Sequence, residues 1–384
     1  ILQTLGVEEL IKTMAIDEIF CASDVILTGV DLPSMALVIN KVAANRDHKT
    51  WHEALSRFTN LELVSSDRAT GIIKGVELCT GVVHQFDLFH FKWGAHKQLR
   101  RLEGLAYGKI ELEYRAQAKL ARATGAVCVE LQVAYQQCCQ AAAAAIASFD
   151  QAENALGIIN KALEIWDADG NLYDVAKNLK ALDHGADLLA KASTETKIQN
   201  LAAQVRDPRL RLYLEKLQQC LLNIVVRYRP GCQPMPRNKL FGIMASSWYW
   251  QQQKPTPVSS SVFAKEQRLA AREHARKQLL MRQMAASLQL RQVQMMLANF
   301  DEVFHQVVTA LNSVFRSSSL VEAINSHLRL HQQVKKHLSK DFLALLTLYW
   351  NMHTFSDGKR KHKSPFQILG IQGPNESWLD LLLR

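Results

Sequence analysis

Hydrophobic and polar residues follow two different periods along residues 13–90. Runs of β-branched and apolar residues bounded by turn residues predict five strands. Between the later strands, apolar residues at helical spacing predict two helices. The first three strands follow one another directly, which is typical of an antiparallel arrangement. The predicted strands are residues 13–20, 25–31, 35–42, 61–67 and 82–90, and the predicted helices are residues 50–58 and 70–78.

Beyond residue 93 the β-rich runs disappear and the helical period dominates. Residues 100–149 read as one long helix or as a hairpin of two. The further predicted helices are residues 152–166, 174–192, 208–226 and 262–296, and Pro- and Ser-rich loops interrupt the block at residues 229–236 and 254–261. The pattern therefore predicts three segments: residues 1–93, an α-helical block over 94–300, and residues 301–384.

A short amphipathic stretch follows the helical block. Its apolar positions Leu320, Val321, Ile324 and Leu328 have helical spacing, and the serines before them are candidates for the helix N-cap. Glu322, Asn325 and Arg329 share a second face of this helix. Alone, such a stretch is more typical of a solvated polar face than of a site. The alternative is a metal-dependent site on a phosphate backbone, because carboxylate, amide and guanidinium suit that chemistry.

Composition narrows the class of protein. Hydrophobic residues make up 48% of the 384-residue chain and charged residues 21%, so most of it is expected to fold. The net charge of +10 and the pI of about 9.2 favour a polyanionic partner, nucleic acid first. No apolar run has the length of a membrane span, and the start shows no signal peptide. Because the chain opens with Ile1 in what reads as mid-domain sequence, we suspect an N-terminal truncation. Seven scattered cysteines without a CxxC pair predict reduced thiols and no zinc site.

Two aspartates stand where predicted strands end. Three antiparallel strands followed by helix, strand, helix and strand describe a ribonuclease H-like order, in which the strands of Asp17 and Asp67 are neighbours. We therefore expect an α/β fold, a ribonuclease H-like mixed sheet interrupted by a large all-α insertion. Asp17 has two rivals, since Glu18 should point to the opposite side of the strand and Asp31 fits a turn cap. The rival role of Asp67 is to cap the helix that follows it.

Five stretches resemble one family when their order is considered. The chain resembles a DDE transposase of bacterial insertion sequences, with a helical domain inserted between the second aspartate and the glutamate. The stretches are Ile16–Phe20 and Val64–Ala69 around the two aspartates, Phe86–His90, Val321–Ser326 around Glu322, and the basic ending Lys359–Phe366. Each motif alone is weak, and their order together is fairly specific.

The resemblance implies the chemistry of the site. Asp17, Asp67 and Glu322 would be the catalytic carboxylates and would hold two Mg²⁺ or Mn²⁺ ions for in-line displacement at phosphorus. Asp87 and His90 would lie beside the ions, although a structural histidine is an equal alternative. Asn325 would contact a metal-bound carboxylate or a phosphate.

The resemblance also implies double-stranded DNA as the partner, a homodimer on two element ends, and a cytoplasmic, nucleoid location. The expected DNA contacts are Arg329, Lys335, Lys336, Lys359, Arg360, Lys361 and Lys363. The basic helix over residues 262–296 would meet DNA or form a solvated surface. The aromatic stretch Ser246–Trp250 would stack a displaced base or, as is more common, fill a helical core.

Two departures from the family pattern leave alternatives open. The interval between Asp67 and Glu322 is far longer than in uninterrupted members, and the helical block fills it. No stretch before Thr13 could hold the helix-turn-helix that usually reads element ends. The alternatives are a ribonuclease H-like nuclease or resolvase, and a decayed or domesticated transposase fragment that binds DNA without catalysis.

Overall fold

The structure is a computed structural model that describes residues 6–21, 24–124, 127–167, 169–253, 265–316, 319–334 and 338–371. The chain forms two compact units. Unit 1 comprises Ile1–Arg100, Asp207–Leu212 and Phe315–Arg384, and unit 2 comprises Arg101–Arg206 and Tyr213–Val314. These limits differ from the predicted boundaries at 94 and 301, because residues 301–314 lie in unit 2 and residues 207–212 lie in unit 1.

Unit 1 is built on a five-stranded mixed sheet with the strand order β3-β2-β1-β4-β5. The strands are β1 (Thr13–Cys21), β2 (Asp24–Asp31), β3 (Leu37–Ala43), β4 (Leu63–Ser66) and β5 (Val83–Phe86). β1 pairs antiparallel with β2, β2 antiparallel with β3, and the pairs β1–β4 and β4–β5 are parallel. The expected α/β class is confirmed, and the strands that precede Asp67 and contain Asp17 are neighbours.

Helices cover both faces of this sheet. They are α1 (Val7–Leu10), α2 (His48–Leu55), α3 (Thr70–Glu77), α12 (Ser319–Val334), α13 (Lys340–Met352) and α14 (Pro365–Ile368), with a 3₁₀ turn at Gly358–Arg360. Because side chains alternate along a strand, Ile16 of β1 packs in one core with α2 and α3, whereas Ala15 and Ile19 pack in the other core with α12 and α13. The face that carries Ala15 and Ile19 is therefore the face of α12.

The rest of the described chain is helical. α4 (Leu88–Leu120) begins in unit 1, and α8 (Pro208–Leu222) has its first turn there; the other helices are α5 (Val127–Ala162), α6 (Val175–Ala192), α7 (Thr196–Arg206), α9 (Arg237–Gln252), α10 (Lys265–Met296) and α11 (Phe300–Ser313). The predicted helical region is confirmed. The 100–149 segment divides into α4 and α5, and α5 continues through most of the predicted helix 152–166. α7, α9 and α11 form where no helix was predicted.

Two strand boundaries differ from the prediction for local reasons. The third strand begins at Leu37 rather than Met35, because Met35 has a positive φ of 64° and its N–H closes the β2–β3 turn on the Asp31 carbonyl. The fifth strand ends at Phe86, because Asp87 accepts the backbone N–H of Phe89 at 2.6 Å and starts α4. His90 therefore lies on a helix and not on a strand.

No helix within the described residues is long and apolar enough to cross a membrane. The cysteines at 79, 128, 138, 139, 220 and 232 are free thiols.

Arg360 holds the β2–β3 turn. Its Nε donates to the carbonyl of Pro33 at 2.9 Å and its Nη2 to the carbonyl of Leu32 at 3.0 Å. Burial lowers the pKa of Arg360, and the nearby carboxylate of Asp31 raises it. Asp31 in turn accepts the N–H of Ser34 at 2.9 Å, which confirms its predicted role as a turn cap. The guanidinium expected to contact DNA is thus bonded to the protein.

Replacing Arg360 by Ala should lower the free energy of unfolding of unit 1 by about 1–3 kcal/mol, because two backbone carbonyls of the turn lose a charged donor. Urea denaturation measures the effect. Lys361→Ala is the matched control, since Lys361 is an exposed neighbour and its loss should leave stability unchanged. Equal stabilities of the two variants would contradict the anchoring role.

Candidate active site

Asp17 lies in the middle of β1, opposite Thr28 of β2, so the prediction that it stands at the end of its strand is wrong. It shares the α12 face of the sheet with Ala15 and Ile19, because these residues alternate with Ile16 and Glu18 along the strand. Glu18 is on the other face, where it accepts the indole N–H of Trp51 at 3.0 Å. The prediction that Glu18 points away from Asp17 is confirmed.

α12 reaches Asp17 through a single buried amide. The apolar stripe Val321, Ile324 and Leu328 is fully buried in the same core as Ala15 and Ile19, which places the helix on β1. Asn325, also fully buried, donates from Nδ2 to Oδ2 of Asp17 at 2.6 Å. Of the two contacts expected for Asn325, a carboxylate or a phosphate, the protein itself supplies the carboxylate.

Glu322 lies one turn earlier on α12 and contacts two cationic groups. Its Oε1 is 3.5 Å from Nε2 of His90, and its Oε2 is 3.7 Å from Nη1 of Arg329. The side chain of Glu322 is 29% exposed, so it can be reached from solvent. The carboxylate and guanidinium that share a face in the sequence thus contact each other.

His90 joins Asp87 to Glu322. Its Nδ1 is 2.8 Å from Oδ2 of the buried Asp87, and its Nε2 faces Glu322. The hydrogen bond to Asp87 is the main cause that raises the pKa of His90 to about 9, with smaller contributions from the charges of Asp17 and Asp67. At neutral pH His90 is therefore an imidazolium between two carboxylates.

Three carboxylates act on one another around Asp17. The pKa of Asp17 is raised to about 6, mainly by burial and in smaller part by the negative charges of Glu322 and Asp67. The backbone N–H of Glu18, which donates to Oδ1 at 2.8 Å, and the charge of His90 lower it. Of the three acids predicted from separate motifs, Glu322 and Asp67 thus each act electrostatically on Asp17.

Asp67 follows directly after β4. Its Oδ1 accepts the N–H of Ala69 at 2.9 Å, which closes the turn before α3. The N-cap of α3 is Ala69, without a side-chain cap, so Asp67 shapes the entry to the helix and does not cap it.

The oxygen-rich residue set fits a hard divalent cation. Carboxylate oxygens of Asp17, Asp67 and Glu322 are the ligands that Mg²⁺ and Mn²⁺ prefer. Oδ1 of Asn325 is buried beside Asp17 without a hydrogen-bond partner, a polar atom that a bound cation or its water would satisfy. Within the described part of the chain, no three His, Cys, Asp or Glu side chains are grouped closely enough to surround an ion. The carboxylate ligands are of the type that these ions prefer. To coordinate an ion together, the side chains of Asp17, Asp67 and Glu322 would have to move closer to one another.

The basic residues expected to contact DNA have different surroundings. Arg329 pairs with Glu322, and Arg360 anchors a turn. Lys361 and Lys363 are exposed and free to meet a phosphate backbone. Lys335 and Lys336, and the side chain of Lys359, lie outside what the structure describes.

The aromatic stretch Ser246–Trp250 lies on α9 in unit 2. Ser247 is fully buried, Tyr249 packs against Trp166 at 5.3 Å, and Arg282 lies over the ring of Trp250 at 4.9 Å. These contacts favour the core role over base stacking. On α10, the side chains of residues 269–296 are mostly exposed. This exposure is compatible both with DNA contact and with a solvated helix surface.

Sequence reasoning missed a group of residues packed around Phe86 at the end of β5. Arg68, His84, Phe86, Asp207 and Arg209 are in contact, although Arg209 is 132 residues from its partner Glu77. The sequence contains no signal for this group, because a Pro-Arg pair in the first turn of a helix has no distinctive pattern.

Comparisons with protein-family models, curated proteins and solved structures found no match to this chain.

Proposed function

We propose that the chain is a transposase of the DDE type, a divalent-metal-dependent enzyme that cleaves DNA at the ends of a mobile element and transfers the strands. One observation carries the proposal. Asp17 on the central strand is hydrogen-bonded to α12 through Asn325, and the charges of Asp67 and Glu322 converge on it. Three acids from two strands and one helix are the arrangement that two-metal phosphoryl transfer requires.

The sheet supports the same proposal. An antiparallel β3-β2-β1 half, continued by parallel β4 and β5, is the order we expect of a ribonuclease H-like core. Asp17 on β1 and Asp67 after β4 stand on adjacent strands. Rigid strands hold carboxylates better than loops do, which suits a site whose catalysis depends on position.

Each residue has a role in this proposal. Asp17, Asp67 and Glu322 would hold Mg²⁺ or Mn²⁺, which when bound activates a water or 3′-hydroxyl and stabilises the leaving oxygen. Asn325 fixes the orientation of the Asp17 carboxylate through its amide N–H. His90, oriented by Asp87, keeps a positive charge beside Glu322. When DNA and ions enter, Glu322 can leave His90 and bind a metal ion.

DNA contact in this proposal is sequence-independent. The exposed Lys361 and Lys363, with the net charge of +10, would neutralise backbone phosphates. We propose recognition of the element ends, and a dimer that holds two ends together, on the basis of the family resemblance alone.

Strand-transfer assays test the function directly. With duplex DNA from the ends of the element that encodes the chain, we expect cleaved and joined products with Mg²⁺ or Mn²⁺ and none with EDTA. Ca²⁺ is the control, because it can occupy oxygen sites but is larger and less strict in geometry. Cleavage without joining would indicate a nuclease or resolvase. DNA binding without any cleavage would refute the enzyme proposal.

A chain that binds DNA without catalysis is the second candidate. It is favoured by the present pairing of Glu322 with His90 and Arg329, and by the lack of a three-ligand group among the described residues. Addition of Mn²⁺ separates the candidates, since only an enzyme site should bind it through Asp17, Asp67 and Glu322.

A further inference from the structure

A short segment from the middle of the chain, Asp207–Leu212, belongs to unit 1 although the residues on both sides of it belong to unit 2. It carries Asp207 and Arg209. Asp207 accepts two bonds from the Arg209 guanidinium, Nε to Oδ1 and Nη2 to Oδ2, both at 3.0 Å. Glu77 of α3 accepts a third, from Nη1 at 3.1 Å. A guanidinium bonded to two carboxylates in this way is held in one orientation.

This guanidinium lies on Phe86 at the end of β5. The guanidinium carbon of Arg209 is 4.5 Å from the ring centroid, and that of Arg68 is 4.8 Å from the same centroid. Phe86 is 2% exposed, so both cations contact a largely buried ring. Two cations on one ring repel each other, and the charge of Asp207 attracts both. Arg68 is thereby fixed by Phe86 and Asp207.

Arg68 follows Asp67, and Ser66 on its other side is fixed as well. The hydroxyl of Ser66 donates to the carbonyl of Asp67 at 2.7 Å and lies 2.8 Å from Nε2 of His84. Because the hydroxyl has one proton, Nε2 of His84 must be the donor in the second bond. Burial, followed by the charge of Arg209, lowers the pKa of His84 to about 4, so the ring is neutral and its Nδ1 carries no proton.

We propose that Asp207 and Arg209 are positioning residues for Asp67. Arg209, held by Asp207, packs on Phe86, and Asp207 attracts Arg68 to the same ring, so that the turn that carries Asp67 is fixed beside β1, the strand of Asp17. The metal-binding role of Asp67 rests on the proposed function, whereas the positioning of its turn by Asp207 and Arg209 does not. A carboxylate on a turn after the strand end needs such support, since within the described residues the N–H of Ala69 is the one group bonded to it directly. A displacement of about 1 Å in such a site lowers a rate on the order of 100-fold.

The test compares Arg209→Ala and Arg209→Lys with Arg206→Ala. Arg206 is a matched control because it is a nearby arginine whose partner, Asp187, forms an exposed surface pair with it. Hydrogen exchange of the Ala69 amide, which is bonded to Asp67, should be about tenfold faster in Arg209→Ala and intermediate in Arg209→Lys. It should be unchanged in Arg206→Ala, and exchange of the β1 amides should be unchanged in all three variants.

In DNA cleavage, Arg209→Ala should lower kcat on the order of 100-fold and leave KM for DNA within about twofold, because the substrate contacts remain. Arg209→Lys should recover part of kcat. Unchanged exchange at Ala69, or equal acceleration at Ala69 and β1, would overturn the positioning role. If the wild-type chain cleaves no DNA, the proposed function fails and the exchange results still decide this inference. If Arg209→Ala does not fold, Arg209→Lys decides it.

Discussion

Replacing Glu322 by Gln should reduce DNA cleavage and strand transfer more than about 100-fold, because loss of a residue that merely supports a metal ligand already costs 10–100-fold. The amide has nearly the same shape as the carboxylate but no negative charge, so α12 should stay in place. Its contacts to His90 and Arg329 lose their ionic character. The measurement is strand transfer with Mg²⁺ or Mn²⁺ on cognate ends.

Glu53→Gln is the matched control for this variant. Glu53 also lies in unit 1 and also faces a cation, Lys41 at 3.4 Å, but its side chain is 79% exposed. Surface pairs of this kind contribute about 0–1 kcal/mol, and we expect full activity. Wild-type strand transfer by Glu322→Gln would exclude Glu322 as the third metal carboxylate.

Replacing Asp17 by Asn should stabilise the metal-free protein above pH 6 while abolishing activity. The pKa of Asp17 is raised from 3.8 to about 6 in the folded state, mainly by burial. Between these values the folded state binds a proton that the unfolded state has lost, so wild-type stability falls as pH rises from 4 to 6. The neutral amide avoids this loss, which corresponds to about 1–3 kcal/mol at pH 7.

Hydrogen exchange of the β1 and β2 amides in EDTA measures the stability of unit 1 across this range. The gain of Asp17→Asn over wild type should be near zero at pH 4 and reach its plateau above pH 6. Addition of Mn²⁺ should stabilise the wild type and not the variant, because metal bound to the folded state adds its binding free energy. Both the stabilisation of the metal-free variant and the stabilisation of the wild type by Mn²⁺ have one cause. Ionisation of the buried Asp17 carboxylate is unfavourable unless a cation is bound beside it.

Asp47→Asn provides a contrast of opposite sign. Asp47 caps α2 by accepting the N–H of Thr50 at 2.9 Å, and this bond lowers the pKa of Asp47. The negative charge of Asp47 stabilises the folded state above the ordinary pKa of an aspartate, and this contribution is lost as pH falls. Removal of the charge in Asp47→Asn should therefore destabilise the protein at pH 7. If Asp17→Asn also destabilised the metal-free protein at pH 7, the burial and repulsion inferred for Asp17 would be wrong.

The local pattern predicted most of the elements of unit 1. β1, β2 and β4 form where β-branched runs stand between turn residues, and α3 begins and ends within about two residues of its predicted limits, the usual scatter of helix ends. The prediction failed where a side chain ended or started an element, as Asp87 does at α4. It also missed α7, α9 and α11.

For the site, the sequence supplied the residue types but not their partners. Alternation along β1 separated Asp17 from Glu18, and helical spacing placed Glu322 and Asn325 on one face. Neither pattern predicted that Asn325 would donate to Asp17, or that His90 would lie between Asp87 and Glu322. Arg360, expected to contact DNA, instead holds a turn far away in sequence.

By itself, the sequence determined the strands, the helical block, the basic charge and the three acids as candidates, because each depends on neighbours a few residues away. Only the tertiary structure decided which side chains meet. Antiparallel β2 and parallel β4 on either side of β1 bring Asp17 near Asp67, and burial of Val321, Ile324 and Leu328 brings α12 onto the same face. Such contacts join residues hundreds of positions apart. They form because burial of apolar surface fixes how the strands and α12 pack, and the carboxylates on these elements are carried along.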